Sequence, residues 1–149
     1  MPKFGKRSKK KLATCHKDLQ KVFNEVIKHI DCSVLEGQRN QERQDRLFKE
    51  GKTKVKLVKE FDKLNEENDN LKIVKYPDGG HNAIISNAVD ITPYPVDWED
   101  RERQTLFAGF VMGIAKSMGV NLFWGGDWDT DWQVQDNNFD DFPHFEIRK

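Results

Sequence analysis

HNAIISNAVDITPYP, residues 81–95, is the stretch around which the rest of the chain can be arranged. Residues 88–91 have the apolar character of a buried strand. Pro93 and Pro95 end it, because proline offers the sheet ladder no N–H. Asp90 lies inside that strand, between Val89 and Ile91. An isolated ionised carboxylate there is costly, so the position calls for a cation or strong donors. A buried salt bridge is the rival to a metal. Just upstream, Asp78-Gly79-Gly80 is a turn signal that projects the His81 imidazole from a loop. One imidazole and one carboxylate are two of the three protein ligands that a catalytic zinc ion takes, its fourth position being kept for water.

The third ligand comes from DFPHFE, residues 141–146, in the imidazole of His144. Asp141 stands three positions before it. Residues three apart in a regular strand face opposite sides, so Asp141 and His144 converge only across a bend. Pro143 supplies one, since it fixes its own φ and keeps Phe142 out of the α region. Asp141 is then the candidate general base. It would orient and deprotonate a zinc-bound water, whose pKa the metal lowers to about 7, and later hand the proton to the leaving amine. Asp140 has the wrong spacing for this. Glu146 shares a strand face with His144 and is a candidate for holding an imidazole N–H, a surface ion pair being the alternative.

The remaining sequence reads as a scaffold for these residues. Leu19, Val22, Phe23, Val26, Ile27 and Ile30 predict a helix over 16–29, with His16 at its start and His29 a surface or packed histidine. Residues 32–37 predict a strand, Arg39 follows at once, and a helix capped by Asn40 and stopped by Gly51 comes next. LVKEFDKLNEENDNLKIVK, between Lys56 and Tyr76, reads as a charged insertion spanning 57–75. Asp97 with Asp100 resembles a helix cap followed three residues later by an acid. The helix behind it carries Leu106, Phe107, Phe110, Val111, Ile114 and Met118 as a core stripe and stops at Gly119. Gly109 and Gly113 are expected to let another element approach. Further strands are predicted over 120–124 and 144–147. The irregular alternation of helices and strands implies an α+β fold: one domain over 1–149, a small mostly antiparallel sheet with helices packed on one face.

Composition restricts the partners. The chain has 149 residues and equal numbers of basic and acidic side chains, 25 each, so net charge argues for no nucleic acid or other polyanion. The charges are unevenly spread. Lys3, Lys6, Arg7, Lys9, Lys10 and Lys11 precede any acid and read as a solvated tail leading into a helix. Asp127, Asp129 and Asp131 suggest a calcium loop, but an EF-hand needs Gly at its sixth position and Glu at its twelfth, where Trp132 and Asn138 stand. An improvised calcium site and an acidic solvated loop both remain open. Cys15 and Cys32 make no disulfide framework and read as buried small hydrophobes. No apolar run approaches the ~20 residues that span a bilayer, and no apolar stretch follows the first charges, so neither stable membrane insertion nor a signal peptide is expected.

HNAIISNAVD resembles the His…Ala-Val-Asp motif of the zinc D-Ala-D-Ala and L-Ala-D-Glu peptidases, a VanY-like family that includes many bacteriophage endolysins. DFPHFE resembles its closing acid-x-x-His motif. The likeness extends through the segment from Leu12 to Lys56, AVDITPYPVDWEDRERQ, FAGFVMGIAKSMGV and WGGDWD, and is greatest to small single-domain phage L-alanyl-D-glutamate peptidases. The sequence departs from the pattern in Gly79-Gly80, in the nine-residue step from His81 to Asp90, and in the insertion. The resemblance implies a fold shared with the Hedgehog signalling domain. It also implies zinc held by His81, Asp90 and His144, Asp141 as base, and Arg39 in the substrate site, binding a carboxylate or steadying developing negative charge. A surface salt bridge to Glu36 or Glu42 is the other reading of Arg39. Gln38 is a weaker candidate for the substrate site. Trp124, Trp128 and Trp132 flank the acidic loop, where the family's Trp-Gly-Gly-Asp-Trp segment lies beside the active site. The expected substrate is the bacterial peptidoglycan stem peptide, cut at L-Ala-D-Glu by a monomeric endolysin that is made in the host cytoplasm and reaches the wall after holin-type release. A D,D-carboxypeptidase and a non-catalytic zinc-binding domain are the alternatives.

Overall fold

The computed structural model describes residues 1–39, 56–57, 73–74, 85–137 and 140–148. His81, the expected helix from Asn40 to Gly51 and most of the 57–75 insertion lie outside them. In chain order the elements are α1 (Lys6–Leu12), α2 (Lys17–Val26), β1 (Cys32–Glu36), β2 (Lys56–Leu57), β3 (Ile73–Val74), β4 (Ala88–Pro93), α3 (Arg101–Ser117), β5 (Leu122–Gly125) and β6 (Asp141–Ile147). Four strands form one antiparallel sheet in the order β1-β4-β6-β5. β2 and β3 form a separate parallel pair. The fold is α+β.

Side-chain alternation divides the sheet into two faces with different jobs. Val89 is paired in register with Phe145, and both are fully buried. Phe145 meets Phe23 of α2 edge-on at 5.4 Å and Phe107 of α3 at 6.3 Å, so its face carries the helices and the core. The next register pair, Asp90 with His144, points the other way. One strand pair therefore supplies both the centre of the core and the centre of the site.

The helices form for local reasons. His16 caps α2, its Nδ1 accepting from the Asp18 N–H at 3.1 Å, and Leu19, Val22, Phe23 and Val26 fill the buried face. His29 pairs with Glu25 at 3.1 Å and packs against Phe110, a surface role as expected. Asp100, rather than Asp97, caps α3, accepting from the Arg103 N–H at 3.0 Å. Asp97 instead closes a turn by accepting from the Glu99 N–H at 3.0 Å. The core stripe of α3 is also rotated from expectation. Gln104, Phe107, Ala108, Val111 and Ala115 are buried, whereas Leu106 is 76% exposed. Ala108 and Ala115 lie on the buried face with Phe107 and Val111. Gly109 and Gly113 face open space, so neither admits a neighbour.

The basic N-terminal segment is no solvated tail from Lys6 onward. It forms α1, which packs on β1 with Phe4 and Leu12 buried. The Lys11 ammonium donates to the Leu35 carbonyl at 2.7 Å. Gly37 follows β1 where a Cβ would overlap the Lys11 carbonyl and the Thr14 hydroxyl, so only glycine lets the chain pass α1 toward Arg39. Cys15 and Cys32 are buried and free, and burial pushes their thiols up to about 11 and about 12.

Candidate active site

Asp90 occupies the middle of β4, with Glu36 of β1 opposite on one side and His144 of β6 opposite on the other. Its Oδ1 lies 3.3 Å from His144 Nδ1, and its Oδ2 accepts from Arg39 Nη2 at 3.3 Å. Arg39 Nε lies 3.5 Å from Glu36 Oε1. The salt bridge to Glu36, the alternative reading of Arg39, is present but recessed, with both side chains about 15% exposed, and the same guanidinium also holds Asp90. Gln38 is exposed, and its backbone N–H donates to Thr14 Oγ1 at 2.9 Å.

Asp141 reaches this pair through a break in the β5–β6 ladder. Trp124 pairs with Phe145, yet the next residue, Gly125, pairs with Asp141, so Phe142, Pro143 and His144 are looped into one step of register. That irregularity is the bend that brings residues three apart to one side. Asp141 Oδ2 lies 3.8 Å from His144 Nδ1. Two features hold the bend. A Cβ at position 125 would overlap the Asp141 carbonyl, so the strands approach this closely only through glycine. The Trp124 indole N–H donates to the Phe142 carbonyl at 2.7 Å, while its ring stacks on Phe142 at 5.4 Å. Trp124 is core, as packing alone would have it, and it also pins the segment that carries Asp141 and His144.

One ligand atom from each of Asp90, Asp141 and His144 lies within 4.8 Å of the other two. Side-chain exposure separates them: 14% for Asp90, 12% for His144 and 35% for Asp141. The first two are recessed and the third stands at the mouth. Asp140 is turned away and pairs with Arg101 at 2.9 Å.

The electrostatics centre on His144. Burial alone would lower the imidazole pKa, but hydrogen bonds to Asp90 and Glu146, with the charge of Asp141, overcome it and push it up to about 10. Burial likewise raises Glu146, and the bonds from His144 and Arg148 outweigh it and bring that carboxyl down to about 2. The carboxylates gathered round this imidazole favour positive charge at the site. Glu146 contacts His144 Nε2 at 3.3 Å and pairs with Arg148 at 2.7 Å, so both sequence readings of Glu146 hold at once. Trp128 lies 5.5 Å from the His144 ring. Sequence reasoning missed the contact of Arg39 with Asp90 and any part for Arg148. The two-residue spacing of His144, Glu146 and Arg148 along β6 was the signal for the latter.

The acidic loop clusters its own carboxylates. Asp127, Asp129 and Asp131 bring oxygens within 4.8 Å, and these oxygens accept backbone amides: Asp127 from Asp131 and Trp132, and Asp131 from Gln133.

Residues 1–148 match the family described as phage L-alanyl-D-glutamate peptidase. The chain belongs to that family. Among its relatives is the L-alanyl-D-glutamate peptidase of Escherichia phage T5, 25% identical over 139 residues, which are 90% of this chain and 87% of the relative. Among solved structures, the L-Ala D-Glu endopeptidase ChiX of Serratia marcescens superposes with a TM-score of 0.65 at 25% identity, covering 97% of this chain and 89% of that one. The matched span includes Asp90, Asp141 and His144. No helix among the described residues is long and apolar enough to cross a membrane.

Proposed function

We propose that the chain is a zinc-dependent peptidoglycan endopeptidase that cuts stem peptides between L-Ala and D-Glu, acting as a phage endolysin. The observation that carries this reading is the convergence of Asp90, His144 and Asp141, achieved by the register break between β5 and β6. The donor set fits the metal. Imidazole nitrogen and carboxylate oxygen are normal zinc ligands, and the other ring nitrogen of His144 already has a carboxylate partner. His81, outside the described residues, completes the set as the second imidazole.

When bound, zinc supplies Lewis acidity that polarises the scissile carbonyl and makes water a nucleophile near neutral pH. The protein's own groups do the rest. Asp90 and His144 are recessed and held on both sides, which suits ligands. Asp141 is reachable from solvent and takes the proton of the attacking water, then returns it to the departing D-Glu amine. Arg39 brings a fixed positive charge to the same spot, where it offsets the negative charge that develops on the carbonyl oxygen. A second reading of Arg39 has its own observation, the contact with Asp90 Oδ2, by which it would fix a ligand's rotamer.

Zinc content and stem-peptide cleavage, measured together on four variants, test these roles. Asp141→Ala is expected to keep stoichiometric zinc and lose about 10²–10⁴-fold in turnover, the usual worth of general acid–base catalysis. Asp141→Glu keeps part of the activity, and Asp140→Ala nearly all of it. Normal cleavage by Asp141→Ala ends the assignment, and lost zinc makes Asp141 a ligand. Arg39→Ala that keeps zinc but not cleavage supports the charge-stabilising role. Arg39→Ala that also weakens zinc supports the second reading.

A further inference from the structure

We propose that Arg148, Glu146 and His144 form a positioning relay along one face of β6, which turns Nδ1 of His144 toward the metal and holds it there. The inference rests on the zinc reading above. Residues 144, 146 and 148 alternate onto the same side of the strand and the turn that follows it. Each contacts the next: His144 Nε2 meets Glu146 Oε2 at 3.3 Å, and Arg148 Nε donates to Glu146 Oε1 at 2.7 Å. The far end is anchored. The Arg148 guanidinium lies 4.2 Å over the ring of Phe123, the β5 residue in register with Glu146, and its Nη1 donates to the Trp128 carbonyl at 3.4 Å. The Trp128 ring in turn lies 5.5 Å from the His144 ring, closing a loop of contacts around the imidazole.

The geometry has one chemical consequence. With Nε2 donating to Glu146, Nδ1 is the ring nitrogen that faces Asp90 and Asp141, at 3.3 and 3.8 Å. A carboxylate on the non-ligating nitrogen fixes both ring orientation and the protonated nitrogen, and it raises the basicity of the ligating one. Glu146 alone, on a flexible side chain, would do this loosely. Arg148 restricts it by a second bond and by its own seat on Phe123. Both are positioning residues and neither touches substrate.

Zinc affinity tests the relay, measured by competition with a chromophoric chelator and with the melting of the zinc-free protein followed in parallel. Glu146→Ala is expected to weaken zinc about 10–100-fold, and Arg148→Ala to produce a smaller loss in the same direction. Glu146→Gln keeps an oxygen that accepts the Nε2–H and should restore most of the affinity. The double substitution should be no worse than Glu146→Ala alone. A Glu146→Ala protein that binds zinc as tightly as the wild type overturns the relay, and so does a Glu146→Gln protein as weak as the alanine variant. NMR of the zinc-free protein reads the same contact without metal. A slowly exchanging His144 Nε2–H signal, present in the wild type and lost in Glu146→Ala, supports the relay even if the wild type fails to take zinc, an outcome that would count against the zinc reading alone. The same signal persisting in Glu146→Ala overturns the relay.

Discussion

His144 is the residue on which the contacts of the candidate site converge, because Asp90, Asp141, Glu146 and Trp128 all meet its ring. As proposed ligands, His144 and Asp90, with His81, should each be indispensable: alanine at any one strips zinc and cleavage together, and full zinc in a purified variant removes that residue from the ligand set. Protons compete for the same nitrogen. The folded pKa of His144, about 10, lies above its ordinary 6.5. In the metal-free protein its ion pairs therefore stabilise the fold fully below pH 6.5 and are lost as pH rises through about 10. Glu146 has the opposite sign, with stability present above its ordinary 4.5 and lost as pH falls through about 2. Metal binding needs the neutral imidazole, so zinc uptake releases a proton, and affinity should rise about tenfold per pH unit between pH 6 and 8. Chelator competition across that range checks the slope; a flat profile would show that no ligand is protonated beforehand.

Among the elements, the register break between β5 and β6 matters most to the proposed site. Gly125→Ala should prevent the close approach to the Asp141 carbonyl, lowering stability and cleavage together, and unchanged activity would mean that the bend forms without it. Trp124→Phe keeps an aromatic ring but removes the N–H that donates to Phe142, a loss of about 0.5–1.5 kcal/mol by denaturant unfolding. In α3, Phe107→Ala should cost about 3–5 kcal/mol, whereas Leu106→Ala should cost almost nothing. That contrast also marks the limit of sequence reading. Both residues are apolar and adjacent, and the periodic stripe admitted both. Only the docking of α3 chooses between them. The cap of α3 was likewise read three residues early, at Asp97 and not Asp100, since either carboxylate can accept a backbone N–H. By contrast, Asp90 was legible because a charge between Val89 and Ile91 has few physical explanations, and the bend at Pro143 was legible because Asp141 and His144 could not otherwise converge.

At the level of the whole molecule, strand alternation lets a small sheet serve as core on one face and site on the other. The apolar strand, the lone carboxylate and the closing His-containing motif were local signals, so the α+β class and the grouping of Asp90, Asp141 and His144 were legible in them. The contact of Arg39 with Asp90, which joins residues far apart in sequence, left no local trace. The central claim is that this site hydrolyses one bond of the peptidoglycan stem. Purified sacculi should be digested with the zinc-loaded protein, the chelated protein and the chelated protein given zinc again, and the released termini identified by mass spectrometry. Zinc-dependent cleavage between L-Ala and D-Glu gives new N-terminal D-Glu in the first and third digests and none in the second. Intact stem peptides in the presence of bound zinc would contradict it in favour of a binding domain, and release of terminal D-Ala alone would contradict it in favour of a D,D-carboxypeptidase.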